Sequence, residues 1–598
     1  MFRSDTVNTI NQTLKQYYGY TSFRPGQQGI IEAIMNGRDV MGIMPTGGGK
    51  SLCYQIPAVE MDGLTLVISP LISLMKDQVD GLLSMGIRAG FLTSQLSLDQ
   101  QNETIRQAIR NDIDLLYVSP ERLENDYFLS RLSQMNINLI AVDEAHCISQ
   151  WGHDFRPSYQ AIPKVRAYCS TYPPFAAFTA TATQKVREDI AEKLELDDPY
   201  AFTASFDRPN LTFSIVHPKK KQQKLLDLLK DKESSVIYCN TRKNVERVHT
   251  FLKKKGYGVG YYHAGLTPEE RTQYQEDFLY DKSPIIVATN AFGMGIDKSN
   301  VRRVIHYNMP LDMESYYQEA GRAGRDGAPA EAILFYSSQD IITNNLLIEQ
   351  GNHPHAKKNL NTIISYCKTG QCLRKIILDY FDETPQFETC DNCSNCNGET
   401  ELVDVTKACQ KILSCIYRMN QQYGMGLVTD VLRGKDNARI RAQGFDDLST
   451  YGIMKESADQ EIKDIIALMV SEQFLHVGGD QYPILKFTEK SVDLLHARSQ
   501  LLMTRHQNAE RTNTKQAAIE EYDETLFEQL RALRKDIAVE IGKPPFVVFT
   551  DKALMSMAAV FPQTPADFLS VHGVGEAKLE KYGEDFLELI TDYLANKS

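Results

Sequence analysis

Short apolar runs, each followed by a stretch with helical spacing, recur through the first half of the chain. Val40–Met44 leads into Leu52–Ile56, and Leu64–Ile68 leads into Leu71–Gln78. Leu115–Val118 and Leu139–Val142 are followed in the same way. A second series begins near residue 206, with Val236–Asn240, Tyr261–Gly265 and Ile285–Asn290 as its strand-like runs. Strands alternating with helices predict a parallel sheet whose loops gather at the strands' carboxyl ends. Two such series predict two α/β domains. The pattern then changes. Leu373–Phe381 has amphipathic helical spacing, and Ile462, Ile465, Ile466 and Met469 mark one face of a helix that Ser457-Ala458-Asp459-Gln460 would open as a capping box. Phe474–Val477, the turn Gly478-Gly479-Asp480 and Tyr482–Phe487 predict a β-hairpin. Helices followed by a hairpin suggest a winged helix. Arg505–Gln516 is polar and lacks apolar period, which reads as a linker, and helical patterns resume at Leu526.

These changes divide the chain into residues 1–205, 206–340, 341–400 and 401–510, a linker at 511–521 and a helical domain at 522–598. With 598 residues, 42% of them hydrophobic and 24% charged, there is ample core for several domains. No apolar run reaches the roughly 18 residues of a membrane span. Met1-Phe2-Arg3-Ser4-Asp5-Thr6 lacks the apolar region of a secretion signal, so a cytoplasmic setting is expected. The net charge of −12 is no signature of a nucleic-acid binder, although a basic groove can coexist with acidic outer faces.

Candidate chemistry begins at Met44-Pro45-Thr46-Gly47-Gly48-Gly49-Lys50-Ser51, between a strand and a helix. A glycine-rich turn there lets backbone N–H groups and a helix N-terminus converge on phosphate oxygens. Lys50 would reach the β- and γ-phosphates of ATP, and the Ser51 hydroxyl would ligate Mg²⁺. Met44 stands where the strict P-loop pattern has glycine. Upstream, Gln27 can offer donor and acceptors to an adenine edge, with Tyr20 and Arg24 able to stack on the ring. Asp143 and Glu144 directly follow a buried strand, which suits Asp143 to hold Mg²⁺ and Glu144 to orient or deprotonate the attacking water. In the second series, Arg322 and Arg325 are spaced by three, as on one helical face, and are suited to reach a γ-phosphate bound by the other domain.

The cysteines point to metal. Cys372, Cys390, Cys393 and Cys396 supply four thiolates for tetrahedral Zn²⁺, with an iron–sulfur cluster as the chemical rival. Such a closed site is structural. Cys367 is the alternative ligand, and the other six cysteines are isolated.

The motifs Gly-Gly-Gly-Lys-Ser (47–51) and Asp-Glu-Ala-His (143–146) resemble those of superfamily 2 helicases. Cys147-Ile148-Ser149-Gln150-Trp151-Gly152-His153-Asp154-Phe155-Arg156-Pro157 narrows the resemblance to the RecQ DNA helicases, where such an aromatic-rich loop couples single-stranded DNA binding to ATP hydrolysis. Trp151, the chain's only tryptophan, and Phe155 can stack on splayed bases, and Arg156 can add a phosphate or cation–π contact. The resemblance implies two RecA-like motor domains, a zinc-binding subdomain, a winged helix and an HRDC domain. It implies ATP, Mg²⁺ and Zn²⁺ as cofactors, with Gln318 at the nucleotide and both Arg322 and Arg325 near the γ-phosphate, Arg325 ahead of Arg322 as the finger. It makes Phe178-Thr179-Ala180-Thr181-Ala182-Thr183 a relay of ATP state. It implies 3′-to-5′ unwinding in replication, recombination and repair of DNA, on single-stranded and duplex DNA, in the bacterial cytoplasm at the nucleoid. A single-strand-binding protein docked on the winged helix, and a monomeric state, are also expected. Whether the hairpin separates strands or only packs is left open. So is whether the HRDC domain, with Gly573-Val574-Gly575 and acids at Glu576, Glu580, Glu584 and Asp585, meets nucleic acid or protein. An RNA helicase and a translocase that does not unwind are the rival readings.

Overall fold

The computed structural model describes residues 4–93, 96–152, 154–292, 298–350, 356–398, 400–478, 484–496, 498–506, 522–542, 544–571 and 573–597. His153, Gly293 to Asp297, the hairpin turn (Gly479, Asp480, Tyr482, Pro483), the linker at 511–521 and His572 lie outside them.

The first lobe is a seven-stranded parallel sheet among the described residues. Its strands are β1 (Val40–Ile43), β2 (Leu64–Ile68), β3 (Ala89–Leu92), β4 (Leu115–Val118), β5 (Ile137–Val142), β6 (Phe175–Thr179) and β7 (Tyr200–Thr203), in the order β3-β4-β2-β5-β6-β1-β7. The second lobe has six: β8 (Leu211–Val216), β9 (Ser235–Tyr238), β10 (Val259–Tyr262), β11 (Ile285–Ala288), β12 (Arg303–His306) and β13 (Ala330–Phe335), in the order β10-β11-β9-β12-β13-β8. The central strands are apolar on both faces, as burial between two helical layers requires. Crossover helices start on local caps: Thr241 accepts from the Asn244 amide, and Ser97 and Thr267 form capping boxes.

Past the lobes, helices Ala356–Lys368 and Leu373–Tyr380 carry the cysteine platform. Helices Thr406–Arg418, Met425–Arg433 and Asp459–Ser471 precede an antiparallel pair, Leu475–Gly478 with Ile484–Phe487, which gives the winged helix. Ile462, Ile465, Ile466 and Met469 are buried on one face, as their spacing predicts. The capping box is not formed. Ala458 is the N-cap and makes no side-chain bond, while Asp459 accepts from Arg433 and Lys435 instead. One continuous core runs through these modules and much of both lobes, whereas the terminal five helices (Glu524–Glu540 to Glu576–Lys597) keep their own around Leu530, Phe549, Leu554 and Phe586.

Candidate active site and metal centre

The P-loop follows β1 and ends at the helix Leu52–Glu60. Gly47 and Gly49 both adopt φ +82°, a left-handed backbone that other residues rarely take, so their glycines are conformational requirements. Gly48 donates to Pro45 O at 2.8 Å and closes the turn. Lys50 Nζ lies 3.3 Å from Met44 O, folded back over the loop it would leave to meet phosphate. Ser51 caps the helix without a side-chain bond to its backbone. Gln27 is buried, accepting from the Arg24 amide (2.8 Å) and donating toward Gly48 O and Gly49 O (3.3 and 3.2 Å). Its amide therefore reads the P-loop backbone. Arg24 donates to Gly47 O, and Tyr20 is exposed on the preceding loop. Thr46 lies at the mouth of the loop, its carbonyl facing the other lobe.

Asp143 and Glu144 follow β5, on the same edge of the sheet. Burial, then the neighbouring Glu144 charge, push the Asp143 carboxyl up to about 7, with Lys50 opposing. A cation beside it would hold it ionised. Glu144 adopts φ +47°, ψ +46°, and its carboxylate lies 3.3 Å from His146 Nδ1, which also meets Thr179 Oγ1 at 2.7 Å. The acid pair is thus joined to the 178–183 segment.

Arg322 and Arg325 do not share a helical face. The helix Met313–Ala320 ends at Gly321, and both arginines sit in the turns beyond it. Gly324 has φ +60°, which takes the backbone between the arginines off any helical path, and a Cβ there would lie 2.5 Å from Asn210 Nδ2 and 2.8 Å from Ala328 O, so the position requires glycine. The turn separates the two side chains. Arg322 is buried beside the Tyr238 phenol, while the Arg325 stem faces the P-loop, its Cγ 3.4 Å from where a Gly47 Cβ would stand. Gln318 is buried on the preceding helix.

The aromatic loop is docked on its own lobe. Lys185 Nζ stands 2.9 Å from the centroid of the half-buried Trp151 ring. Arg156 pairs with Asp154 (3.0 Å) and donates to Pro70 O (3.2 Å), and Phe155 is half-buried.

The Sγ atoms of Cys372, Cys390, Cys393 and Cys396 lie within 4.8 Å of one another. Tetrahedral Zn²⁺ with bonds of about 2.3 Å needs ligand sulfurs roughly 3.8 Å apart, so the cage fits the ion after a small contraction. Backbone amides support thiolates: Lys375 N approaches Cys372, Cys390 N approaches Cys396, and Cys396 N approaches Cys393 (3.4–3.5 Å). The neighbouring Cys390 thiol favours the Cys393 thiolate, drawing Cys393 below the ordinary thiol range. Cys367 is fully buried in the core, apart from the cluster.

The sequence reading passed over the hinge. Phe206-Asp207-Arg208-Pro209-Asn210 joins the lobes, and an Arg-Pro step at a domain boundary was its one local signal. It also missed Lys185. The amides of the Gly-Val-Gly turn are not open to a phosphate along its length, since Gly575 lies against Gly19: a Cβ on Gly19 would meet Gly575 N at 2.6 Å. Among the described residues, no helix is long and apolar enough to cross a membrane.

Comparisons with known proteins agree with this architecture. Family models match in chain order: DEAD/DEAH box helicase at 24–190, helicase conserved C-terminal domain at 220–327, RecQ zinc-binding at 338–397, RQC domain at 399–512 and HRDC domain at 523–590. The chain is 43% identical over 594 residues to ATP-dependent DNA helicase RecQ of Bacillus subtilis, covering 98% of this chain and 99% of that protein. It is 40% identical to the protein of that name from Pasteurella multocida (98% and 94% covered) and 41% identical to that from Haemophilus influenzae (98% and 96%).

Proposed function

The chain belongs to the RecQ family of ATP-dependent DNA helicases, and from that membership we propose how its residues do the work. ATP binds between the lobes, its phosphates on Thr46 to Lys50 and its γ-phosphate facing Arg325. Ser51 and Asp143 hold Mg²⁺, and Glu144 activates water. Arg322, buried beside Tyr238, supports the arginine turn from within the second lobe. Gln27, Arg24, Tyr20 and Gln318 complete the nucleotide surround, with Gln27 acting through the P-loop carbonyls it already meets. The observation that carries this reading is the approach of Arg325, from one lobe, to Gly47 of the other. A cation in that position stabilises charge on the transferring phosphoryl group and makes turnover depend on lobe closure.

Trp151, Phe155 and Arg156 meet single-stranded DNA once the loop leaves Lys185. Cycles of closure then move the strand in the 3′-to-5′ sense, and the winged helix holds the duplex ahead. The reading divides the chain at 205, 340, 400, 510 and 521. It includes zinc on the four cysteines, action as a monomer at the nucleoid, docking of a single-strand-binding protein on the winged helix, and a part in replication, recombination and repair.

The test is strand separation with ATP and Mg²⁺ on matched duplexes carrying a 3′ or a 5′ DNA tail, with a 3′-tailed RNA duplex beside them. Unwinding confined to the 3′-tailed DNA is expected. Hydrolysis without separation would leave a translocase, and preference for RNA would overturn the substrate.

A further inference from the structure

Arg208 stands in the hinge and touches both lobes. Its Nη1 donates to Gly321 O (3.2 Å) and reaches Thr46 O of the P-loop at 3.5 Å. Its Nη2 donates to Ala323 O and Gly324 O, both at 3.0 Å. Those three second-lobe carbonyls bracket Arg322 and immediately precede Arg325. They belong to the end of the helix Met313–Ala320 and the turn beyond it, where backbone acceptors have no helical partner. One planar fork therefore reaches three carbonyls of the turn that carries both arginines, sharing Gly324 O with Gly327 N and Asn210 Nδ2, and extends to the loop that would carry the phosphates. A lysine has no such fork and presents a single point of charge.

The backbone at Arg208 is itself held. Phe206 N donates to Glu383 (2.7 Å), Tyr317 Oη donates to Phe206 O (2.6 Å), and Asp207 is clamped by Arg374. Pro209 biases Arg208 toward extended backbone. Arg24 and Arg325 are its cationic neighbours, and burial disfavours its charge. A polyphosphate entering among the three guanidiniums would relieve that repulsion.

We infer that Arg208 is a positioning residue for ATP hydrolysis: it holds the Arg322–Arg325 turn in register with the P-loop, and its Thr46 contact is the link that makes and breaks as the lobes close and open. Three of its bonds stay within the second lobe, so it travels with the arginine turn. Only the longest spans the cleft. The inference rests on the proposed ATP site, and Lys50→Ala, assayed in parallel, tests that site independently.

The experiment measures DNA-stimulated ATP turnover, fluorescent-ATP affinity and single-strand affinity of the full chain carrying Arg208→Lys or Arg208→Gln. Turnover is expected to fall roughly 10- to 100-fold, as a small misplacement of a catalytic group costs. Nucleotide KM and affinity are expected to stay within about three-fold, since the defect lies in the reacting geometry. In an Arg325→Ala background, Arg208→Lys is expected to cost nothing more, because the group it positions is gone. Wild-type turnover in Arg208→Lys would overturn the inference. So would parallel loss of turnover, nucleotide affinity and DNA affinity, or full additivity with Arg325→Ala.

Discussion

Asp143 combines two demands that conflict in the metal-free protein. Its place directly after β5 suits the Mg²⁺ role proposed for it, and burial there pushes its carboxyl up to about 7. An unfolded aspartate titrates near pH 3.9, so the folded state binds this proton more tightly. The stabilisation from keeping Asp143 neutral is complete below the unfolded value and is lost as pH rises through about 7. Asp143→Asn removes that titration. Without added Mg²⁺, the variant is expected to melt above the wild type at about pH 8, with the difference shrinking toward about pH 5, while ATP turnover is lost. Thermal melts at the two pH values check it, and a pH-independent difference would refute the cause. The places of the P-loop after β1 and of the acid pair after β5 were legible because each is contiguous in sequence. Lys185 over Trp151 and Arg208 at the P-loop were not, since each acts on residues distant in sequence.

At the scale of elements, one short helix links the metal centre to the hinge. Cys372 caps Leu373–Tyr380, and the residues beyond its other end grip the interlobe segment. Phe381 stacks on Phe206 at 4.3 Å, Glu383 accepts from Ser205 Oγ (2.6 Å), and Asp382 accepts from the Gln184 amide (3.0 Å) at the start of the helix that carries Lys185. Zinc binding contributes on the order of 10 kcal/mol in small modules, enough to decide whether so short a helix is ordered. Cys393→Ser is expected to abolish stoichiometric zinc and lower DNA-stimulated hydrolysis severalfold, although no cysteine of the cluster belongs to the proposed nucleotide site. Metal analysis paired with turnover measures both, and full turnover in a zinc-free variant would uncouple platform from hinge. The cysteine spacing predicted the cage, and the strand periods predicted both sheets. The helical reading of Arg322 and Arg325 failed because spacing by three says nothing of the left-handed Gly324 between them.

At the scale of the whole molecule, the terminal helical domain, which has its own core, rests on both lobes. Gly575 packs against Gly19, Lys581 Nζ donates to Ser84 O at 3.0 Å, and Tyr280 Oη of the second lobe donates to Gly542 O at 2.9 Å. The acidic composition of this domain left its partner open between nucleic acid and protein, because composition does not encode which surface of the same chain lies opposite. The two hydrogen bonds are exposed and each of a kind worth about 1 kcal/mol, and Phe546 packs against the main core, while the close approach of the two glycine backbones leaves no room for a side chain. Gly575→Leu would insert a side chain where even a Cβ stands 3.1 Å from Gly19 Cα. The chain is then expected to expand beyond the radius of gyration of about 25 Å that a compact protein of this length adopts, without loss of the domain's helical content. Small-angle scattering and circular dichroism together check this. An unchanged radius would mean that the hydrogen bonds and the other packing hold the domain without the glycine contact. Loss of helicity would mean that Gly575 serves the domain's own turn.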